Sequence, residues 1–342
     1  MGGAVTVVRV KLADRIAQCR TPFVITCRSS GRTRTLNNAA ECAHRVSVAP
    51  IRFVLSDDLT RLCTALAYSR GARTIACADL IRVPGESVWM EWSCRPWQQE
   101  LSLHAISVDD PAYSPGHRRG ALFQGSKDGR RGTLRTFWSD EAPGDVLASC
   151  IEAYFDLDTP EGEEPEPPEG WSVSSNRLFD PAHGSADMLS RCFRFRYEPS
   201  WRQYYSEAGL APEQRAVLWR HALGTIALDI PVLCAFLLLL STRAGLPQSP
   251  QSFERLNRSR LKAGKSPLLA HIDVRAPLLP DCRGRESEEN GAHGRRGPRL
   301  HHVRGHLVRR GAELFWRVPH LRGNARFGAV HTRTVTWTFG AN

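Results

Sequence analysis

Between residues 51 and 155 the apolar and polar positions alternate in patterns that define elements. Ser56-Asp57-Asp58 is a helix-start signal, and Leu59, Leu62, Cys63, Leu66 and Ala67 follow at helical spacing until Gly71. Residues 75–80 continue as a short apolar element, and Pro84-Gly85 marks a turn. Residues 88–92 and 101–108 read as strands, while 121–126 and 133–138 flank Asp128-Gly129 as the arms of a hairpin. A helix followed by a small antiparallel sheet is therefore expected over 51–155.

The pattern changes beyond this module. Residues 156–170 hold seven acids and a Pro-Glu run, a composition that self-repels and buries no core, so a solvated linker is expected. Residues 171–280 read as a mainly helical module. Pro212 and Glu213 suit the first turn of a helix running to about 243 with a kink at Pro231, and His221 within it reads as a structural histidine. Residues 256–269 form a basic, helix-breaking segment, and 271–275 one more strand. Residues 281–298 are a flexible hydrophilic linker, and 299–342 a basic module of two or three strands. Residues 1–50 show no periodicity and are expected to be a poorly defined N-terminal arm. The fold class is α+β: helical and small antiparallel-sheet modules with a short basic C-terminal β-sheet.

Composition narrows the classes. Hydrophobic residues make up 42% of the 342, with nine tryptophans, which excludes a wholly disordered chain. The formal charge of +11 is unevenly spread, at +6 over 1–50, −6 over 51–250 and +11 over 251–342. Only the two ends can present a strongly positive surface. The ten cysteines include no C-x-x-C pair and several fall in apolar stretches, the usage of free buried thiols in a reducing cytoplasm. The opening residues 5–10 are too short for a signal peptide. The apolar run at 225–240 is split by Asp229 and Pro231 and falls short of the roughly 20 residues that span a bilayer, so a buried helix and no membrane partner are expected.

The tail carries the candidate chemistry. Residues 299–342 hold eight arginines, no lysine and one acid, Glu313, interleaved with Phe315, Trp316 and Trp337. Arginine in this setting grips phosphate and stacks on bases. Taken as one strand, His302, Arg304 and His306 share a face, with Leu314 and Trp316 on one side of the next strand and Phe315 and Arg317 on the other. The candidate binding residues are His302, Arg304, Gly305, His306, Arg309, Trp316, Arg317, His320 and Arg322. Gly305 would allow close backbone approach. On one extended strand His302 and His306 lie roughly 13 Å apart, too far to share an ion, so no metal and no cofactor is implied. Three alternatives remain open. One is a metal-independent ribonuclease of small-toxin type using His306 or His320 with Arg322. Another is a structural component of a phage or plasmid system. In the third, Arg304 and Arg317 pair with acids of the middle region and carry no binding function.

Several of these segments together resemble a known family. Trp89 to Trp92, the apolar stretch 225–240, the segment Pro267-Leu-Leu-Ala-His271-Ile272 and the tail motif Arg304-Gly305-His306 are similar to the type V-A anti-CRISPR proteins and their chromosomal and mobile-element relatives. The likeness covers roughly residues 51–342. In the tail, His302, Arg304, Gly305 and His306 fall on the family's H-x-R-G-H-type signature, and Trp316 and Arg317 on its aromatic and basic strand. Leu307 departs from it, standing where the founding type has an aromatic. The resemblance implies a non-enzymatic inhibitor or mobile-element regulator. Its partners would be RNA or a ribosome-associated nascent polypeptide, that of a type V CRISPR effector.

Overall fold

The hairpin around Asp128-Gly129 forms, and a large sheet extends to both sides of it. The structure is a computed structural model that describes residues 10–18, 23–26, 33–36, 39–68, 79–103, 118–139, 146–159, 166, 192–199, 201–202, 209–243, 245–277, 299–303, 305–317, 320–322 and 324–329. The chain divides into two compact units, Met1–Ser241 with Gly245–Ala276, and Thr242–Ala244 with Pro277–Asn342. Helices and strands are both abundant, and the class is α+β.

The first unit contains helices α1 (Leu12–Gln18), α2 (Ala39–Val48), α3 (Asp57–Tyr68), α4 (Cys94–Leu103), α5 (Pro212–Ala227), α6 (Asp229–Leu240) and α7 (Glu254–Lys262). Its strands are β1 (Phe23–Thr26), β2 (Thr33–Leu36), β3 (Ile51–Leu55), β4 (Ser87–Ser93), β5 (Arg118–Gly125), β6 (Arg131–Ser139), β7 (Val146–Asp156), β8 (Phe193–Tyr197), β9 (Gln248–Gln251) and β10 (His271–Val274). β1 and β2 pair by themselves; the other eight form one sheet in the order β8-β7-β6-β5-β4-β3-β10-β9. Neighbours from β4 to β8 are antiparallel, β3 runs parallel to both β4 and β10, and β9 is an antiparallel edge.

The β5–β6 turn shows why its sequence is Asp-Gly. Asp128 Oδ1 accepts from Ser126 Oγ and from Arg130 N, while Gly129 sits at φ 69° with its NH donated to Ser126 O. A Cβ at Gly129 would lie 2.0 Å from Val83 O, so only glycine fits.

Alternation along the strands sorts the core into two layers. Trp89, Leu122 and Phe137 face α1 and α2, meeting Leu12, Ile16, Cys42, Val46 and Ala49. The other face carries Val88, Met90 and Phe123, opposed across the ladders, and Phe53 packs edge-on against Phe236 of α6 at 5.5 Å. Every residue from Asp229 to Leu239 is buried. The one helical stretch among the described residues long and apolar enough to cross a bilayer, Pro212–Leu240, has 81% of its most apolar window buried inside the chain. That is the packing of a core helix.

Several expectations give way here. Part of 1–50 is core, since α1 and α2 bury Leu12, Ile16 and Val46 completely, and Ala49 just after α2 is completely buried as well. The reason lies far away in sequence. Glu91 Oε1 accepts from Leu12 N at 2.9 Å and Oε2 from Ala13 N at 3.1 Å, so its carboxylate caps the start of α1. The segments 51–155 and 171–280 share the same sheet, because β8 joins β7 and β10 joins β3. Residues 101–103 end helix α4, where a strand is predicted, and 104–108 lie outside the described residues. The helix break falls at Leu228, before Pro231, whose missing NH is tolerated in the first turn of α6. The basic segment after 253 contains a helix, α7. The expected elements at 75–78 and the linkers at 160–165, 167–170 and 281–298 lie outside the described residues.

Candidate functional site

The second unit is built from short strands: β11 (Arg299–Val303), β12 (His306–Arg310), β13 (Glu313–Arg317), β14 (His320–Arg322) and β15 (Asn324–Ala329). They form two small sheets, β14-β11-β15 and β12-β13.

The β12–β13 ribbon closes on a two-residue turn, Gly311-Ala312. Gly311 has φ 59°, as primed hairpin turns require at that position, and Arg309 Nε donates to Gly311 O at 3.0 Å. This turn fixes the register His306↔Arg317, Leu307↔Trp316, Val308↔Phe315, Arg309↔Leu314 and Arg310↔Glu313. Directly opposed residues share a face. One face therefore holds His306, Val308, Arg310, Glu313, Phe315 and Arg317, and the other Leu307, Arg309, Leu314 and Trp316. Leu307 and Leu314 are buried, whereas Arg309, Arg310 and Arg317 are exposed and Trp316 is half-buried. The Arg310 guanidinium stands 5.9 Å from the centre of the Phe315 ring, a cation–π contact that steadies the charge while leaving it exposed. Arg243 belongs to the same unit; its NH donates to Leu314 O at 3.0 Å and its guanidinium pairs with Glu313 at 3.2 Å, with both side chains largely in solvent.

The expected single strand through His302, Arg304 and His306 does not exist. β11 ends at Val303 and β12 begins at His306, so His302 and His306 belong to different sheets. Alternation is unbroken through this stretch, and only strand pairing reveals the interruption. The split of Leu314 and Trp316 from Phe315 and Arg317 is found as expected. His320 pairs with Val303 and Arg322 with His301 across β11–β14, so the ribonuclease candidates His306, His320 and Arg322 are divided between two sheets. Arg322 is exposed. Gly305 is described without a left-handed φ; that conformation belongs to Gly311. Arg304 lies outside the described residues. The structure adds Arg310 to the residues expected from the sequence, and the local signal for its place is Gly311, which sets the hairpin register.

A second polar cluster lines a small cavity in the first unit, with Lys11, Asp14, Arg52, Glu91 and His271 around it. The charges of Asp14, Arg52 and Glu91 are engaged with the protein. Asp14 accepts from Lys11 N and Leu269 N, and Arg52 donates to the carbonyls of Val46, Ser47 and Ala270. Trp89 Nε1 and Arg118 complete the shell of Glu91. Burial raises the Asp14 carboxyl above its ordinary range, against the two backbone NH groups. Burial also pushes Glu91 upward, but Arg118 and the α1 amides outweigh it and hold this carboxyl below the usual range. The cluster clamps α1 to the sheet.

Cys42, Cys63, Cys94, Cys192 and Cys234 are buried thiols and Cys150 is half-buried, and none of these six is in a disulfide. Burial pushes the Cys94 thiol up to about 12, the behaviour of an inert core cysteine. Among the described residues no group of three or more His, Cys, Asp or Glu is placed to hold a metal ion.

No known protein family matches this chain, and no characterised protein or solved structure shows detectable similarity to it.

Proposed function

We propose that this chain is a non-enzymatic binding protein of the cytoplasm whose C-terminal unit engages RNA. The observation that carries the reading is the β12–β13 ribbon, where Arg309, Arg310 and Arg317 project into solvent from a hairpin whose one acid, Glu313, is already shared with Arg243. Guanidinium groups held on a short ribbon, Arg310 and Arg317 on one face and Arg309 on the other, can follow a phosphate backbone, and half-buried Trp316 offers an aromatic edge on the Arg309 face. The resemblance to type V-A anti-CRISPR proteins extends the proposal to its biology. The chain would act as an inhibitor or mobile-element regulator, reaching its RNA at a ribosome through a nascent polypeptide such as a type V effector.

The test is a pull-down from lysate with and without RNase, comparing wild type with an Arg309→Ala/Arg317→Ala double variant. RNA or ribosomes recovered with wild type, lost on RNase treatment and lost in the variant, support the proposal. Equal recovery with both proteins overturns the role of the ribbon.

A further inference from the structure

A second cationic surface stands on α7, in the first unit, and the C-terminal reading leaves it unused. None of the residues of this helix is buried. Arg255, Arg258 and Lys262 are spaced i, i+3 and i+7, so at about 100° per residue they fall within roughly 60° of arc and form one stripe about 10 Å long. All three are exposed, and none has an ion-pair partner among the described residues. Lys265 continues the charge just past the helix end.

A nine-residue helix with no buried face does not persist in water unaided. This one is held by polar clips. Asn257 acts like a strand partner, donating from Nδ2 to Leu268 O and accepting from Leu268 N, both at 2.8 Å. Arg260 Nε donates to Ser266 O at 2.9 Å. At the end, Lys265 N bonds to Arg260 O and Gly264 N to Leu261 O, with Gly264 at φ 67°, which is the Schellman closure. Asn257 and Arg260, the two half-buried positions, bind α7 to the body, and the Arg255/Arg258/Lys262 stripe lies on the side away from them. Local bonding is thus spent on holding an unburied helix in a fixed orientation with three cations outward, none of them ion-paired among the described residues, although Glu254 stands one turn before Arg258. A membrane surface does not suit it, because the exposed Leu256 and Leu261 lie roughly 140° apart on the helix and form no single apolar face.

We infer that α7 is a docking helix for an RNA phosphate backbone, a second contact independent of the β12–β13 ribbon. The choice of RNA rests on the function proposed above. Charge complementarity carries the contact: three cations on one rigid stripe suit successive phosphates, and α7 has no aromatic with which to stack a base.

The experiment is fluorescence anisotropy of the full chain with a labelled 20-nucleotide oligo-uridine across a salt series. Arg255→Ala/Arg258→Ala/Lys262→Ala should weaken binding about tenfold or more at low salt and flatten the slope of log K against log salt by about 2, as three lost single-strand phosphate contacts require. The charge-keeping variant Arg255→Lys/Arg258→Lys/Lys262→Arg should retain the wild-type slope. An unchanged slope in the alanine variant overturns the inference. So does α7-dependent binding of a 20-base-pair DNA duplex or of poly-glutamate without α7-dependent binding of the RNA; the latter result would assign the helix to an acidic protein. A slope flattened by the α7 variant but not by the ribbon variant leaves this inference standing and removes the ribbon reading. Absence of RNA binding by wild type removes both.

Discussion

Arg119 of β5 and Asp229 at the start of α6, 110 residues apart in sequence, meet as a fully buried ion pair. Arg119 Nε donates to Asp229 Oδ2 at 3.0 Å, and the guanidinium lies between Trp97 and Trp138, 5.6 and 5.3 Å from their ring centres. The pair fixes where the most apolar helix of the chain begins. Such a pair is costly to bury and costlier to break. Asp229→Ala or Arg119→Ala should each lose about 3–5 kcal/mol, whereas Arg119→Met/Asp229→Leu should recover most of that loss. Urea midpoints of the four proteins check this, and additive single losses in the double variant would contradict it.

The same pair gives a pH dependence with a definite sign. Burial pushes the Asp229 carboxyl up to about 6 from its ordinary 3.8, although Arg119 pulls the other way. The folded state therefore holds more protons than the unfolded state between those values, and this group's contribution to stability declines as pH rises from about 4 to 6 and is level above. Subtracting the stability profile of Asp229→Asn from that of wild type should expose this fall, and a difference rising through the window would refute the assignment.

Glu91 should behave in the opposite way. Its carboxyl is held low, so its contribution is present at neutral pH and is lost as pH falls through the folded value. Glu91→Gln removes the charge from two helix amides and from Arg118, and should cost about 2–4 kcal/mol. Hydrogen exchange should quicken first at Leu12 and Ala13; protection unchanged there would mean that α1 does not depend on this cap.

Gly129→Ala should destabilise the β5–β6 hairpin by about 1–3 kcal/mol, since it adds a Cβ at positive φ against Val83 O. A thermal midpoint equal to wild type would show that the turn relaxes freely.

What the sequence made legible is local. Helix α3, strand β4, the β5–β6 hairpin and β10 all carry a clean period or a turn residue that fixes them. What it hid depends on distant partners. Helix α1 is seven residues long, and its start is held by Glu91, 79 positions away from Leu12. Strand β8 is Phe-Arg-Phe-Arg-Tyr, too short to outweigh helical surroundings until β7 pairs with it. Helix α7 buries none of its residues, its two leucines lie far apart around the helix, and it is held by Asn257 rather than by an apolar stripe. In the tail, the β12–β13 register is set by Gly311, a turn signal that the alternation of apolar and polar positions does not carry. The interruption between Val303 and His306 left no mark in the alternation, and the face joining His302 to His306 dissolved with it.

The most direct measurement is a titration of the purified chain with labelled oligo-uridine at several salt concentrations, set beside Arg309→Ala/Arg310→Ala/Arg317→Ala. The proposed function predicts tight binding at low salt, a steep salt slope, and a slope shallower by about 2 in the ribbon variant without loss of thermal stability. A wild-type protein that fails to bind, or whose affinity is indifferent to salt and to these three arginines, would contradict it.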